Sequence, residues 1–355
     1  MFYREAGQFK TSYSADEAIF PIDQDRWGVF AILAFAFVVI PLIADEYWLR
    51  SILTPFLVFS LAALGLNLLT GYAGQVSLGT AGFMAVGAFA AYNLHIRIPE
   101  IPFIIDFVLA GLIAAGVGVL FGLPSLRIKG FYLAVATLAA QFFLEWLFTR
   151  VGWFTNYSSS GVITAPPMEM FGFTFESALS RYMLTLSIVA VLALAAKNIV
   201  RSETGRSWMA VRDMDIAAEV IGFRLLHTKL LAFAISSFYC GVAGALWAYV
   251  YLGTVEPQAF DIFRSFEILF MVIIGGLGSI LGSFLGAAFI VLLPLFLNNL
   301  AAVFAGETLS AHMLSHLQFI IFGILIIFFL IVEPLGLARL WQILKEKLRL
   351  WPFPY

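Results

Sequence analysis

The fold turns on residues 266–300, FEILFMVIIGGLGSILGSFLGAAFIVLLPLFLNNL. Beyond Glu267 the stretch carries no charge, so hydrocarbon is its natural solvent. Five glycines interrupt it: Gly275, Gly276, Gly278, Gly282 and Gly286. A helix that crosses a bilayer needs about 20 apolar residues. The stretch therefore reads as one kinked span, two short spans, or a re-entrant hairpin. Each reading puts the tail that follows on a definite side, so the rest of the chain can choose among them.

Similar apolar runs recur along the chain, at about 27–44, 51–70, 76–94, 103–123, 131–149, 181–199, 229–251, 266–280, 283–300 and 315–333. Of the 355 residues, 62% are hydrophobic and 12% charged, against about a quarter charged in soluble domains. No soluble fold of this length hides that much apolar surface, because about a quarter of what the unfolded chain exposes stays exposed. The expectation is an all-α polytopic membrane protein with about eight to ten spans. An ordinary soluble enzyme, a disordered chain and a nucleic-acid binder are excluded, the last also by a net charge of −2.

Charge decides the parity. Fifteen of the twenty Lys and Arg residues fall in four groups: the N-terminus, the break 124–130, the loop 197–229 and the tail after 333. The positive-inside rule puts all four on the cytoplasmic side. That requires an even number of crossings between consecutive groups. One full span over 266–300 gives an odd number, so two passes, or a hairpin returning to its own side, is preferred. The chain then divides into a cytoplasmic segment 1–26, a transmembrane unit 27–338 and a cytoplasmic tail 339–355. No cleavable leader is expected, because residues 1–26 include Asp16, Glu17, Asp23 and Asp25. On the opposite side lie the loop 150–180 and the stretch 252–265, whose Glu256-Pro257 and Asp261 suggest a short interfacial helix.

The longest charged insertion is 201–228, RSETGRSWMAVRDMDIAAEVIGFRLLHT. Asp215 is a fair N-cap, 216–221 can form a short helix, and Gly222 can take the left-handed position after it. Such a helix would lie across the membrane face and expose Ala217 and Ala218, with Arg212, Asp213 and Glu219 around it. A solvated positive-inside loop is the plainer reading, and the residues alone leave both open.

Glycine-interrupted segments at 71–88 and 275–286 mark a possible transport route. Unwound backbone at membrane depth survives only where it is buried or lines a cavity. Asn67, Gly74, Gln75, Ser77 and Thr80 supply polar groups or bare backbone near the first. For the second, Gly278, Gly282 and Gly286 equally suit close helix packing, as do Gly118 and Gly122. Ionisable residues in the spans reduce to Glu145 and Glu267, neither read as central. That argues against proton or sodium coupling. No phosphate loop is present, and Ser236 and Ser237 have no histidine placed to activate them. The single cysteine, Cys240, excludes a disulfide framework, and the four histidines are scattered. His312 and His316, spaced i, i+4, read as the flank of a span rather than a metal site.

Several motifs resemble a known family. Ala217, Ala218 and Gly222 match the Glu-Ala-Ala-x-x-x-Gly signature of ATP-binding-cassette importer permeases, with Ile216 in place of the Glu. Residues 67–79 (NLLTGYAGQVSLG), 126–132 (LRIKGFY), 205–222 with 229–233, 267–279 (EILFMVIIGGLGS) and 333–337 (EPLGL) are similar, in order, to motifs of the LivM-type permease subunits of branched-chain amino-acid importers. Two departures are Thr80, where the family commonly has His, and Ser158-Ser159-Ser160, which replaces a Gly-rich stretch.

The resemblance implies an inner-membrane permease, not an enzyme, with both termini cytoplasmic. It would pair with a second homologous permease, dock two cassette ATPases and receive cargo from a periplasmic solute-binding protein. No cofactor would sit on this chain; ATP would bind the partners. The coupling residues would be Arg212, Asp215, Ala217, Ala218, Glu219 and Gly222. Cargo would be branched-chain or related neutral amino acids, with urea, amides or aromatic acids as alternatives. A secondary transporter and an intramembrane enzyme are the rivals from other classes.

Overall fold

The computed structural model describes residues 12, 23–125, 131–158, 160–170, 173–305, 311–333 and 335–350. The motif residues 126–130 and Pro334 lie outside them, as do the side chains of His312 and His316. The helices are α1 (Asp25–Ile43), α2 (Trp48–Tyr72), α3 (Thr80–Arg97), α4 (Phe103–Ser125) and α5 (Phe131–Arg150). They continue with α6 (Ala178–Arg201), α7 (Glu203–Asp213), α8 (Asp215–Ile221) and α9 (Leu225–Leu252). The last four are α10 (Ile262–Gly275), α11 (Ile280–Ala305), α12 (Ala311–Val332) and α13 (Gly336–Leu350). Two strand pairs, Ile163–Thr164 with Thr254–Val255 and Glu169–Met170 with Phe173–Thr174, trim one face. The chain is an all-α polytopic membrane protein, with seven helices among the described residues long and apolar enough to cross a bilayer.

α2 and α9 form the enclosed centre. α9 packs on α2, α3 and α4. Small residues make this possible: a Cβ on Gly87 would stand 2.0 Å from the Gly241 carbonyl oxygen, and one on Gly244 would stand 1.9 Å from that of Met84. With no hydrophobic drive between helices in lipid, such close backbone approach is the main source of cohesion. α1 lies outside this centre, held by the Tyr182 hydroxyl donating to the Ala36 carbonyl at 3.0 Å.

Residues 266–300 resolve into two antiparallel helices. Gly275 faces Gly282, and Gly286 faces Met271, so α10 and α11 fold back on each other through the turn 276–279. At 14 residues, α10 spans only about 21 Å, short of a bilayer core of about 30 Å. The remaining depth is crossed by non-helical chain. Residues 254–255 pair with the loop strand 163–164, and the turn Pro257–Phe260 then runs inward, with both named residues buried. The short helix expected within 252–265 is present as the single 3-10 turn Pro257–Phe260, with proline at its start.

α3 is broken in the same way at its start. The expected span 76–94 becomes helical only at Thr80, after an extended lead-in at 73–79. The two unwound lead-ins, 73–79 and 254–261, come from opposite faces and meet. Gly82 N–H donates to Gln141 Oε1 at 2.5 Å and Ala81 N–H to Ser265 Oγ at 2.9 Å. Gln141 Nε2 donates to the Phe260 carbonyl at 2.8 Å, and Ser265 Oγ to Gln141 Oε1 at 3.1 Å. Gln141 stands near the middle of α5, so it ties together the ends of two broken segments at membrane depth. Backbone groups without a helical partner cost several kcal/mol each in hydrocarbon, and this node satisfies them. Gly336 touches Gly276, so α12 brings the chain back to the face from which α11 left. Ten passes result. The Lys345–Asp25 ion pair places the start of α1 and the tail helix on that same face.

Candidate functional site

The insertion 201–228 folds into α7 and α8 on the face that holds the turn 276–279. α7 buries Gly205, Ser207, Trp208 and Val211, a spacing that presents one helical stripe to the core. α8 stands clear of it. Its C-terminus is closed by Gly222 at φ 108°, whose N–H bonds back to Ala218 and Glu219, and by Phe223 N–H donating to the Ala218 carbonyl at 3.0 Å. This is a Schellman end, and it requires glycine.

Two expectations for this segment, the N-cap and the exposure of Ala218, are corrected, and Arg212 makes a further contact. Met214, extended, holds the N-cap position without a side-chain bond; Asp215 is the first helical residue, and its carboxylate faces Lys229 at 3.9 Å. Ala217 is exposed but Ala218 is buried, because the helix turns it onto the body. Arg212 reaches inward: its Nη1 donates to the Gly71 carbonyl at 2.7 Å, while Nε bonds Asp213 at 2.9 Å. The outward surface is instead aliphatic. Ile216 is 70% exposed, Val220 85% and Ile221 78%, with Met214 beside them. A contiguous apolar patch on a polar projection marks a protein contact. The sequence signal was the run itself, in which Ile216, Val220 and Ile221 fill the side opposite Ala218.

Arg212 connects this projection to the membrane body. Gly71 ends α2, and a Cβ there would meet the Gly278 nitrogen at 2.2 Å. The turn 276–279 is held in turn by Asn67. Gly278 N–H donates to Asn67 Oδ1 at 2.9 Å, and Asn67 Nδ2 donates to the Ser279 carbonyl at 2.8 Å and to Ser283 Oγ at 2.9 Å. From the other side Gly336 and Ala338 of α13 close on Gly276. One compact joint thus links α2, α7, the α10–α11 turn and α13.

The polar residues expected to line a route are placed differently. Asn67 is fully buried with both amide atoms committed to the turn. Gln75, Ser77 and Thr80 are buried in this chain, Gln75 Nε2 bonding the Lys229 carbonyl at 3.3 Å, while Gly74 is exposed against Arg212. Gly275, Gly282 and Gly286 stand at backbone contact between α10 and α11, Gly276 and Gly278 in their turn at positive φ.

The few charges expected in the spans gain one member. Arg264 joins Glu267 in the first turns of α10, with its guanidinium 4.9 Å from the Phe59 ring of α2 and 5.3 Å from that of Trp247 near the end of α9. Among the described residues no group of three or more His, Cys, Asp or Glu could hold a metal ion.

Comparison with known proteins adds an independent finding. Residues 49–330 match the family model described as branched-chain amino acid transport system / permease component. The chain is 30% identical over 263 residues to the high-affinity branched-chain amino acid transport system permease protein LivM of Salmonella typhimurium, covering 68% of this chain and 61% of that protein. It is 30% identical over 258 residues to the LivM protein of Escherichia coli, covering 66% and 60%. It is also 27% identical over 224 residues to the autoinducer 2 import system permease protein LsrC of an Enterobacter species, covering 61% of each. The alignments thus span about 60% of the length of the two LivM relatives. No solved structure matches.

Proposed function

The chain belongs to the branched-chain amino acid transport system permease component family, and from that premise we propose that it is the transmembrane subunit of an ATP-driven importer of branched-chain or related neutral amino acids. The observation that carries the reading is the projection α7–α8, with its exposed Ile216, Val220 and Ile221, joined through Arg212 to the end of α2. Two cassette ATPases dock beneath, one of them on that patch. A second homologous permease completes the route, and a binding protein delivers cargo to the face that carries the loop 150–180. The α8 face and both termini lie in the cytoplasm of a cell whose inner membrane holds the complex. ATP binds and is hydrolysed on the ATPase chains. Closure of those chains pushes α8, and Arg212 passes the displacement to Gly71 and the 276–279 turn. Each state is favoured by its own contacts with ATP and binding protein, which is what biases the equilibrium.

Co-expression with the cassette ATPases of the same system tests this. Val220→Asp with Ile221→Asp should cut ATPase co-purification and ATP-dependent uptake at least tenfold. The reading fails when a chain lacking 213–222 still captures the ATPases and transports.

A milder variant probes the helix end. Gly222→Val has open space around it but forces a β-branched residue to positive φ, at about 1–2 kcal/mol. We expect assembly to survive and substrate-stimulated hydrolysis to fall several-fold. Full stimulation would show that the closed end of α8 is not needed. Cargo identity follows from ligand binding by the solute-binding protein of the same system.

A further inference from the structure

The coupling joint and the Gln141 node leave one polar group of the membrane interior unexplained. Arg264 Nη1 bonds Glu267 Oε2 at 2.5 Å, one turn apart on α10. The two side chains are 28% and 29% exposed, so the pair is mostly covered by the fold and keeps one edge open. The Arg264 guanidinium lies 4.9 Å from the Phe59 ring centre and 5.3 Å from that of Trp247. Trp247 stacks on Tyr251 at 4.3 Å, and the indole itself is only 4% exposed. Two buried donors here, Trp247 Nε1 and Arg264 Nε, have no acceptor among the described residues.

A partly exposed charge pair in an apolar helix is costly against acyl chains, and such residues face a bundle interior or a watered cavity. This pair also sits in the first turns of α10, directly after a non-helical stretch, the usual setting of a solute site. One cation and one anion, side by side, match a solute carrying both charges. The neighbouring rings offer an apolar wall.

We propose that Arg264 and Glu267 form a zwitterion-binding step on the transport route. The guanidinium receives the carboxylate of a neutral amino acid, and Glu267 receives its ammonium. The step rests on the importer reading given above. Binding exchanges the internal ion pair for two solute pairs and leaves the net charge of the site unchanged. A cationic or anionic amino acid would leave one of them repelled, so the site selects for neutral ones.

The test uses the assembled transporter in proteoliposomes with leucine-loaded binding protein. Glu267→Gln and Arg264→Gln should each lower leucine uptake at least tenfold while subunit content stays within twofold. Arg264→Lys, which keeps the charge but loses the fork, should lose about threefold. Uptake within twofold of wild type in both glutamine variants overturns the proposal.

A second measurement holds when a charge variant fails to assemble. Phe263, one turn from Glu267 on the same face, is 61% exposed. Phe263→Cys should react with a membrane-impermeant cationic thiol reagent, and leucine-loaded binding protein should slow the reaction at least fivefold. No labelling, or labelling indifferent to leucine, overturns the proposal. A wild-type complex without ATP-driven amino-acid uptake would instead overturn the importer reading on which the step rests.

Discussion

Asn67→Leu is expected to lose about 3 kcal/mol of stability and nearly all ATP-coupled transport. The side chain is fully buried and makes three hydrogen bonds to the 276–283 region. Leucine has a similar volume, so the loss is not one of packing. It leaves the Gly278 N–H and the Ser283 hydroxyl short of partners, and each stranded buried group costs about 1–3 kcal/mol. Interhelical bonds in membranes average about 0.6 kcal/mol, which sets the lower bound. The functional loss should exceed the stability loss, because Gly278 stands beside Gly71 and Arg212 at the joint. Asn67→Asp keeps the acceptor for Gly278 and loses the donors, so it should fall between the two. Thermal unfolding in detergent and uptake in proteoliposomes together decide this. Wild-type coupling in the leucine variant would show that the turn is not part of force transmission.

Gly286→Val should be among the most destabilising single changes in the described helices, at about 3 kcal/mol or more. Its Cβ would lie 1.8 Å from the Met271 carbonyl oxygen and 3.0 Å from the Gly275 Cα. Backbone cannot swing aside as a side chain can, so α10 and α11 must separate. Overpacking a rigid contact costs about 1–3 kcal/mol and occasionally more, and separation also withdraws the 276–279 turn from Asn67. Gly116→Val on α4 is the control, since nothing lies within 4 Å of its Cβ. It should express and melt like wild type. Equal behaviour of the two variants would show that α10 and α11 do not pack as described.

Legibility in the sequence depends on the kind of signal. Spans announce themselves by composition, because every residue in hydrocarbon must be apolar or paired. Parity follows from the basic clusters alone, and it requires an even count of passes over 229–339. Gly222 is legible as a left-handed helix end, because the requirement is local and glycine meets it without strain. Gln141 is legible only in part. A lone amide in the apolar run 131–149 must find a partner in lipid, but its partners, Ser265 among them, are distant in sequence. Asn67 shows the opposite failure. Its polarity suggests a side chain facing a solute, while its hydrogen bonds reach over 200 residues along the chain to the turn.

Residues 266–300 therefore mark the boundary. Sequence by itself determined that they must bring the tail back to the side of the other basic groups, because charge asymmetry counts passes without knowing their shape. It also determined the family, through short motifs in fixed order. Only the tertiary structure decided where α10 begins. The helix is too short to cross, and the residues before it are tied into the fold by the pairing of 254–255 with 163–164 and by Gln141, on another helix, which donates to the Phe260 carbonyl. That start point brings Arg264 and Glu267 beside Phe59 and Trp247, and no local pattern could state it.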